Sequence, residues 1–371
     1  MSKICIYAIC KNEIKFVDKW LENMSEADYI VVLDTGSTDG TYEKLQQDPR
    51  VTRVEQEIIT PWRFDVARNR SMDLIPDDAD ILVCTDFDEL FEPGWAQLLR
   101  DNWVPGYHNR CHYTYVWDHS DIGDPQTIFT YDKIHVKDLY WRFAAHEVLW
   151  HEDMLHYSQN VLDLREQLVL HHWQDISKPR GSYLDLLKLA CEEEPNCSHI
   201  WSLYGREHIL RQEYEEAIEV LLKTLDCEDI EYSDEQKTLL QTLYFLGLSF
   251  YNLKKYDECY WYCQEFLRLN TSYREPYLLM SRAYIDQQLP ILAEATVKAM
   301  FEYTTHKKDW LEQGDSWTWV PYGVLGATYI NLSNWEKAQE NLKIALKYEP
   351  NNVELLKQYI LSLEKQLDKI V

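Results

Sequence analysis

Four stretches in the second half of the chain repeat one pattern of residue sizes, and that repetition leaves few folds open. Between residues 199 and 352 a small residue recurs at Gly205, Gly247, Ser281 and Gly326. An aromatic or His follows three residues later (His208, Phe250, Tyr284, Tyr329), then another small residue (Ala217, Cys259, Ala293, Ala338) and an apolar or Cys position (Leu221, Cys263, Val297, Leu342). The steps between the first small residues are 42, 34 and 45, so two steps carry insertions of 8 and 11 over a period of 34. Such a unit is a helix pair that cannot bury its apolar face alone and must stack on its neighbours. A linking helix is expected over 179–198, and a capping helix with a polar outer face over 353–371. The register also assigns Cys259 and Cys263: both stand where other repeats carry Ala, Leu or Val, so they are packing residues rather than metal ligands.

Residues 1–178 follow a different pattern. Lys3–Ile9 reads as a strand and Phe16–Met24 as a helix. Tyr29–Leu33 is an apolar run suited to a buried parallel strand. Thr38 or Asp39 can cap a helix to about Gln47. Val51–Val54 is a short strand, Trp62–Ile75 a helix and Ile81–Thr85 a second buried strand. This alternation predicts an α/β sheet with helices on both faces. Cys111–Trp117, Thr127–Tyr131 and Leu168–His172 add strands to make the sheet mixed.

The charge balance narrows the partners. The 371-residue chain has 37 Lys+Arg against 63 Asp+Glu, a net charge of −26. Nucleic-acid binding needs clustered cations, and an anionic membrane surface would repel this chain, so neither partner is expected. No stretch has the length and apolarity of a membrane span; the longest uncharged one, 316–335, is too polar. Nine cysteines without a recognisable secretory leader read as reduced thiols of a cytoplasmic protein.

Candidate chemistry lies where buried strands end. Asp34-Thr35-Gly36-Ser37-Thr38-Asp39-Gly40-Thr41 follows one such strand, where ligands of open α/β sheets bind. Asp34 there can accept from a base N–H or a ribose hydroxyl, or simply organise a turn. Asp86-Phe87-Asp88-Glu89 follows the next strand, and paired carboxylates with a substrate diphosphate suit Mg²⁺ or Mn²⁺; the alternative is a solvated acidic loop. Asp65, Arg68 and Asn69 share one helix face, for phosphate binding or for an ion-pair network. Glu147 can be a general base in a partly apolar pocket, or half of a Glu–Arg pair. His171 or His172 can complete a metal site with Asp88, or pack in the core. His146-Glu147-x3-His151 lacks the spacing of a zinc protease. Trp117 and Trp141 can line a sugar or acceptor site, or pack.

Taken together, Ala8-Ile9-Cys10-Lys11-Asn12-Glu13, the Asp34–Thr41 run, Phe64-Asp65-Val66-Ala67-Arg68-Asn69, Asp86-Phe87-Asp88-Glu89 and Ala145-His146-Glu147 resemble family-2 glycosyltransferases of the GT-A fold, over roughly residues 3–175. The repeats resemble tetratricopeptide repeats. The combination looks like the peptide S-glycosyltransferases of glycosylated bacteriocins. The resemblance implies a Rossmann-like mixed sheet with helices on both faces, followed by an all-α tetratricopeptide solenoid. It implies that Ala8 and Glu13 contact the nucleoside, Asp34 the base, and Asp86 the ribose or sugar. Arg68 would lie near the sugar or phosphate, Trp141 beside the nucleotide sugar, Glu147 at the acceptor as base, and Asp88 and His172 on Mn²⁺ or Mg²⁺. The implied reaction is inverting transfer from a nucleotide sugar, a UDP-sugar first, to a peptide or protein acceptor docked with help from the repeats, which can also form a homodimer. The alternatives are a glycan or lipopolysaccharide-precursor acceptor, or an inactive fold serving as a scaffold.

Overall fold

Tyr7 and Ala8 show why the first half forms layers. They are neighbours on strand β1 (Ile4–Cys10), yet both are fully buried, because alternate side chains of a strand enter opposite cores. Ile4, Ile6, Ala8 and Cys10 pack on one face; Cys5 and Tyr7 pack on the other. The computed structural model describes residues 2–119, 123, 125–153, 157–175, 183–228, 237–307 and 311–368. It divides into two units, Met1–Ala190 and Cys191–Val371.

The first unit runs β1, α1 (Val17–Met24), β2 (Tyr29–Asp34), α2 (Thr41–Gln47), β3 (Arg53–Gln56), α3 (Phe64–Met72), β4 (Ile81–Cys84), β5 (Glu89–Phe91) and α4 (Trp95–Asn102). Strands β6 (Arg110–Val116), β7 (Ile128–His135), β8 (Tyr140–Arg142), β9 (Val148–Trp150), β10 (Val161–Asp163) and β11 (Val169–His172) follow. The sheet order is β3-β2-β1-β4-β7-β6-β11-β5, with β10 also on β6; β8 and β9 form a separate hairpin. β3, β2, β1 and β4 are parallel, while β7 joins β4 antiparallel, so the sheet is mixed as expected. The chain moves outward from β1 to β2 and β3, then returns to β4 on the other side. That reversal is the topological switch point of the sheet.

Several limits differ from the sequence reading. The helix expected at Trp62–Ile75 is shortened to Phe64–Met72, because Arg63 stays extended after Pro61. The strand expected at Val51–Val54 lies two residues later. Helix α2 is capped by Gly40 in the left-handed region, and Asp39 assists by accepting the Thr41 N–H at 3.0 Å.

Helix α5 (Tyr183–Glu193) lies mostly in the first unit and ends before Pro195, which cannot continue a helix, so the expected linking helix breaks before α6 (Ser198–Leu210) of the second unit. Its expected residues 179–182, with 176–178 of the first region, lie outside the described residues. The repeats follow as α6 with α7 (Tyr214–Leu225), α8 (Lys237–Asn252) with α9 (Tyr256–Leu269), α10 (Glu275–Asp286) with α11 (Pro290–Tyr303), and α12 (Val320–Asn331) with α13 (Trp335–Tyr348). The small residues work as expected. A Cβ on Gly205 would lie 2.4 Å from Leu221, and one on Gly326 would lie 2.5 Å from Leu342. Cys259 and Cys263 are fully buried, and all nine cysteines are free thiols.

Each helix pair turns through one left-handed residue, Gln212, Lys254, Gln288 or Ser333, seven positions after the small residue. The next N–H returns to the carbonyl of His208, Phe250, Tyr284 or Tyr329 at 2.8–3.0 Å, closing the C-terminal turn of the first helix. Four pairs with this register form a tetratricopeptide-repeat region. Helix α14 (Val353–Leu367) covers its end, held on α13 by Leu355, Ser362 and the amide of Gln339. Its outer face is not polar as expected: Val353, Ile360 and Leu367 are exposed there. Residues 369–371 of the expected cap lie outside the described residues.

Candidate active site

The carboxyl ends of β1, β2 and β4 bring three of the sequence segments together. Asp34 ends β2 fully buried, and its Oδ1 accepts from Gly36 N, Ser37 N and Gln56 Nε2 at 2.8–2.9 Å. Burial opposes the charge, but these bonds and that of Ser37's side chain hold the carboxyl below its ordinary range. Asp34 therefore shapes the Gly36–Gly40 loop. That loop is tied to the β1–α1 loop: Asn12, itself left-handed, accepts from Thr38 N, and Glu13 N donates to the Thr41 hydroxyl, each at 2.8 Å. Ala8 lies deeper, with its side chain in the core under α1.

At the end of β4, Phe87 explains the spacing of the two aspartates. Its ring is buried and stacks on Trp20 at 4.2 Å, so Asp86 and Asp88 diverge from an anchored residue. Asp86 meets Arg68 of α3, whose Nη2 donates to both carboxylate oxygens at 3.1 and 3.2 Å. The Arg68 Nε donates to Glu147 Oε1, and its Nη1 reaches Cys84 Sγ at 3.0 Å. Lys133 of β7 donates to Asp86 Oδ2 at 3.2 Å and to Glu89 Oε1 at 2.9 Å. Tyr115 O–H completes the chain to Glu89 at 2.8 Å. Charges alternate along Glu147, Arg68, Asp86, Lys133 and Glu89, which is what makes their burial tolerable. Burial raises the Asp86 carboxyl, but Arg68 and Lys133 outweigh it and hold the group well below the carboxylate range. Glu89 goes the other way: burial pushes it up, and Lys133 offsets that only in part. With its side chain 35% exposed, Asp86 is the anionic member of this network open to a ligand.

Asp88 faces elsewhere. Its Oδ2 lies 3.4 Å from His172 Nε2, and its carbonyl accepts Trp173 N–H at 2.7 Å. His172 Nδ1 bonds the Trp117 carbonyl at 3.0 Å, and its ring tilts against Trp117 at 4.7 Å. The Trp117 carbonyl holds a proton on Nδ1, and Asp88, working against burial, favours a second proton on Nε2; a cation that displaced that proton would find Nε2 turned toward Asp88, the orientation of a metal-ligating His. His171 turns away, to His119 Nε2 at 2.9 Å and Glu92 at 3.5 Å. Among the described residues no group of three or more His, Cys, Asp or Glu is arranged to hold a metal ion. One carboxylate and one imidazole fit a divalent cation only if a substrate supplies further oxygens, as Mg²⁺ with a diphosphate does.

Trp141, Asn69 and Asp65 hold the site's floor. Trp141 is buried, its Nε1–H donates to the Tyr7 hydroxyl oxygen at 2.8 Å, and its ring lies under the Arg68 guanidinium at 5.4 Å. Asn69 clasps the Trp141 backbone through two 2.8 Å bonds, and Asp65 pairs with Arg63 at 2.8 Å. Lys133 and Tyr115 escaped the sequence reading. Strand parity does not reveal Lys133: the β6–β7 register shifts between Cys111–Ile134 and Tyr113–Tyr131, so Tyr131 packs on one core while His135 meets Tyr7 and Trp141 of the other.

Compared with known proteins, the sequence matches no protein-family model and no curated protein. Among solved structures it is similar to TTC0263, a thermophilic tetratricopeptide-repeat protein of Thermus thermophilus, with 16% identity over 49% of this chain and 89% of that one, TM-score 0.38. It is also similar to YrrB, described as a tetratricopeptide-repeat protein with an unusual peptide-binding site, with 19% identity over 47% and 80%, TM-score 0.36. A repeat protein of Parabacteroides merdae gives 13% identity over 50% and 66%, TM-score 0.39. Among the described residues, no helix is long and apolar enough to cross a membrane.

Proposed function

We propose that this chain is an inverting, metal-dependent glycosyltransferase of the GT-A fold and the family-2 type. Its donor is a nucleoside diphosphate sugar, with a UDP-sugar the first to test. Its acceptor is a peptide or protein held with the help of the repeats. The observation that carries the reading is the divergence of Asp86 and Asp88 about Phe87 at the switch point, one aspartate locked as an anion by Arg68 and Lys133, the other beside a correctly turned His172.

In this reading Asp86 accepts hydroxyls of the ribose or sugar, and Arg68, buried and fully engaged, positions both Asp86 and Glu147. Asp88 and His172 would hold Mg²⁺ or Mn²⁺, which offsets charge on the leaving diphosphate. Glu147 commits Oε1 to Arg68, so its Oε2 takes the acceptor's proton. The acceptor atom bonds to the anomeric carbon from the face opposite the diphosphate. The bond from that carbon to the diphosphate oxygen breaks, and its electron pair leaves with the nucleoside diphosphate. A thiol acceptor needs the least help from Glu147, since part of it is thiolate at neutral pH.

The test is a panel of nucleotide sugars with Mn²⁺ or Mg²⁺, reading nucleoside diphosphate release for wild type and Asp88→Asn. Metal-dependent release from one donor, lost in the variant, is expected. Absence of both release and calorimetric binding across the panel refutes the transferase and leaves the scaffold reading.

A further inference from the structure

The insertion of 11 residues in the last step of the repeats builds part of a pocket. The step from Ser281 to Gly326 is 45 residues against a period of 34, and the added chain lies between α11 and α12. Its Gln313, Asp315 and Ser316 line a cavity of about 110 Å³ together with Tyr244 of α8, Glu275 of α10 and Trp319, which precedes α12. Pockets for whole small molecules run to roughly 300 Å³ or more, so this one suits a group of side-chain size.

Glu275 carries the unexplained feature. It is 3% exposed, and its Oε1 accepts Gln313 N–H at 2.8 Å. Its Oε2 is also buried and has no hydrogen-bond partner among the described residues. A buried acceptor left in that state is costly, and a donor that reaches it restores what water no longer supplies. The nearest cation in sequence is engaged elsewhere. Arg274 donates from Nη1 to the Ser316 carbonyl at 3.0 Å and from Nε to Thr304 Oγ1 at 3.2 Å, with its guanidinium on the Trp317 ring at 3.7 Å. Arg282 and Asp315 of the lining are both exposed, and their opposite charges cancel. The buried carboxylate therefore sets the sign of the pocket, and Glu312 adds to its negative potential.

The shape of this acceptor selects among donors. A guanidinium pairs best with both oxygens of a carboxylate, and Oε1 is already taken, so a single free oxygen suits the point charge of an ammonium. A divalent cation needs more oxygens than one. Leu279, Val320 and the Trp319 ring supply apolar surface for a short stem. We infer that the pocket binds a primary alkylammonium group, its head on Glu275 Oε2 and its stem along Trp319. A lysine side chain of a polypeptide and a free small amine carry the same head group. The site lies apart from the candidate active site, and the inference does not rest on the transferase reading.

Calorimetric titration of the full chain at pH 8, where the amine and Glu275 are both charged, tests this. The probes are n-butylamine, Nα-acetyl-lysine methylamide, the Nε-acetylated form of the latter, and butyrate. Both amines should bind with a Kd on the order of 1 mM, and the two probes without an ammonium should not. Glu275→Gln keeps an acceptor for Gln313 and should weaken amine binding by about tenfold or more without lowering the melting temperature. Arg282→Ala removes a like charge and should leave amine binding equal or tighter. Tighter binding of the lysine amide assigns the pocket to a polypeptide, tighter binding of butylamine to a free amine, and equal binding to the head group alone. Absence of binding by either amine up to ~20 mM leaves a pocket that only holds water and overturns the proposal. So does amine binding indifferent to Glu275→Gln, binding of the acetylated form as tight as its parent, or butyrate binding that Arg282→Ala abolishes.

Discussion

Glu275 offers a quantitative check on the packing of the repeats. It opens α10 almost wholly buried, at a pocket of about 110 Å³ that Tyr244, Arg282, Gln313, Asp315 and Trp319 also line. Oε1 accepts Gln313 N–H at 2.8 Å, while Oε2 meets no partner in bonding geometry among the described residues. Burial dominates over the Gln313 amide and the Ser316 side chain, and the nearby Glu312 adds to it, so the carboxyl is pushed up from 4.5 to about 7. The sign follows from linkage. Between those values the folded chain keeps a proton that the unfolded chain releases, so this group's stabilising contribution is full below pH 4.5 and is lost as pH rises to 7. Over that span of about 2.5 pH units, at ~1.4 kcal/mol each, the loss is about 3 kcal/mol. Glu275→Gln removes it. The amide oxygen can still accept from Gln313, and the side chain has the shape of the protonated acid. The variant should therefore match wild type near pH 4.5 and exceed it by about 3 kcal/mol at pH 8. Urea unfolding of both chains across this range, followed by far-ultraviolet circular dichroism, reads the difference with every other titration cancelled. A gap that does not change with pH would falsify the burial argument.

Glu147→Gln should lower transfer by about 10²–10⁴-fold while donor binding persists; unaltered transfer would reduce Glu147 to a partner of Arg68. Arg68→Lys cannot span Asp86 and Glu147 together, and leaving buried carboxylates unpaired should cost about 3–5 kcal/mol in denaturation; a loss below 1 kcal/mol would mean that the network is solvated. Gly326→Ala gains about 1 kcal/mol in helix propensity but sets a Cβ 2.5 Å from the Leu342 branch carbon. Overpacking of about 1–3 kcal/mol should win, so the melting temperature falls. Lys254→Gly, at φ 58°, should stabilise by about 0.5–1 kcal/mol in the same assay; no gain would place the strain of that turn elsewhere.

What could be read from the residues, and what could not, follows the distance over which each constraint acts. The repeats were legible because Gly205 and Leu221, or Gly326 and Leu342, lie sixteen positions apart and the same size rule recurs four times. The parallel strands were legible because two-sided burial demands uninterrupted apolar runs. Strands β5, β8, β9 and β10 were not, since three residues carry too little periodicity against turn-like neighbours. The left-handed turns were hidden because Gln, Lys, Gln and Ser occupy positions where Gly would have signalled them. The outer face of α14 was misjudged because an amphipathic helix shows its apolar stripe in sequence but not which of two stripes its own unit buries. The candidate site lies between these cases. Its aspartates, Arg68 and Glu147 stood out through local patterns, yet their coupling spans 79 residues from Arg68 to Glu147 and 47 from Lys133 to Asp86. No local pattern encodes that closure. Lys133 is conspicuous only once β7 lies beside β4, because a buried cation is tolerable only where the fold delivers carboxylates to meet it. The charge of Asp86 is thus a property of the whole sheet order, and any ligand that binds there meets an anion set by residues from four separate segments.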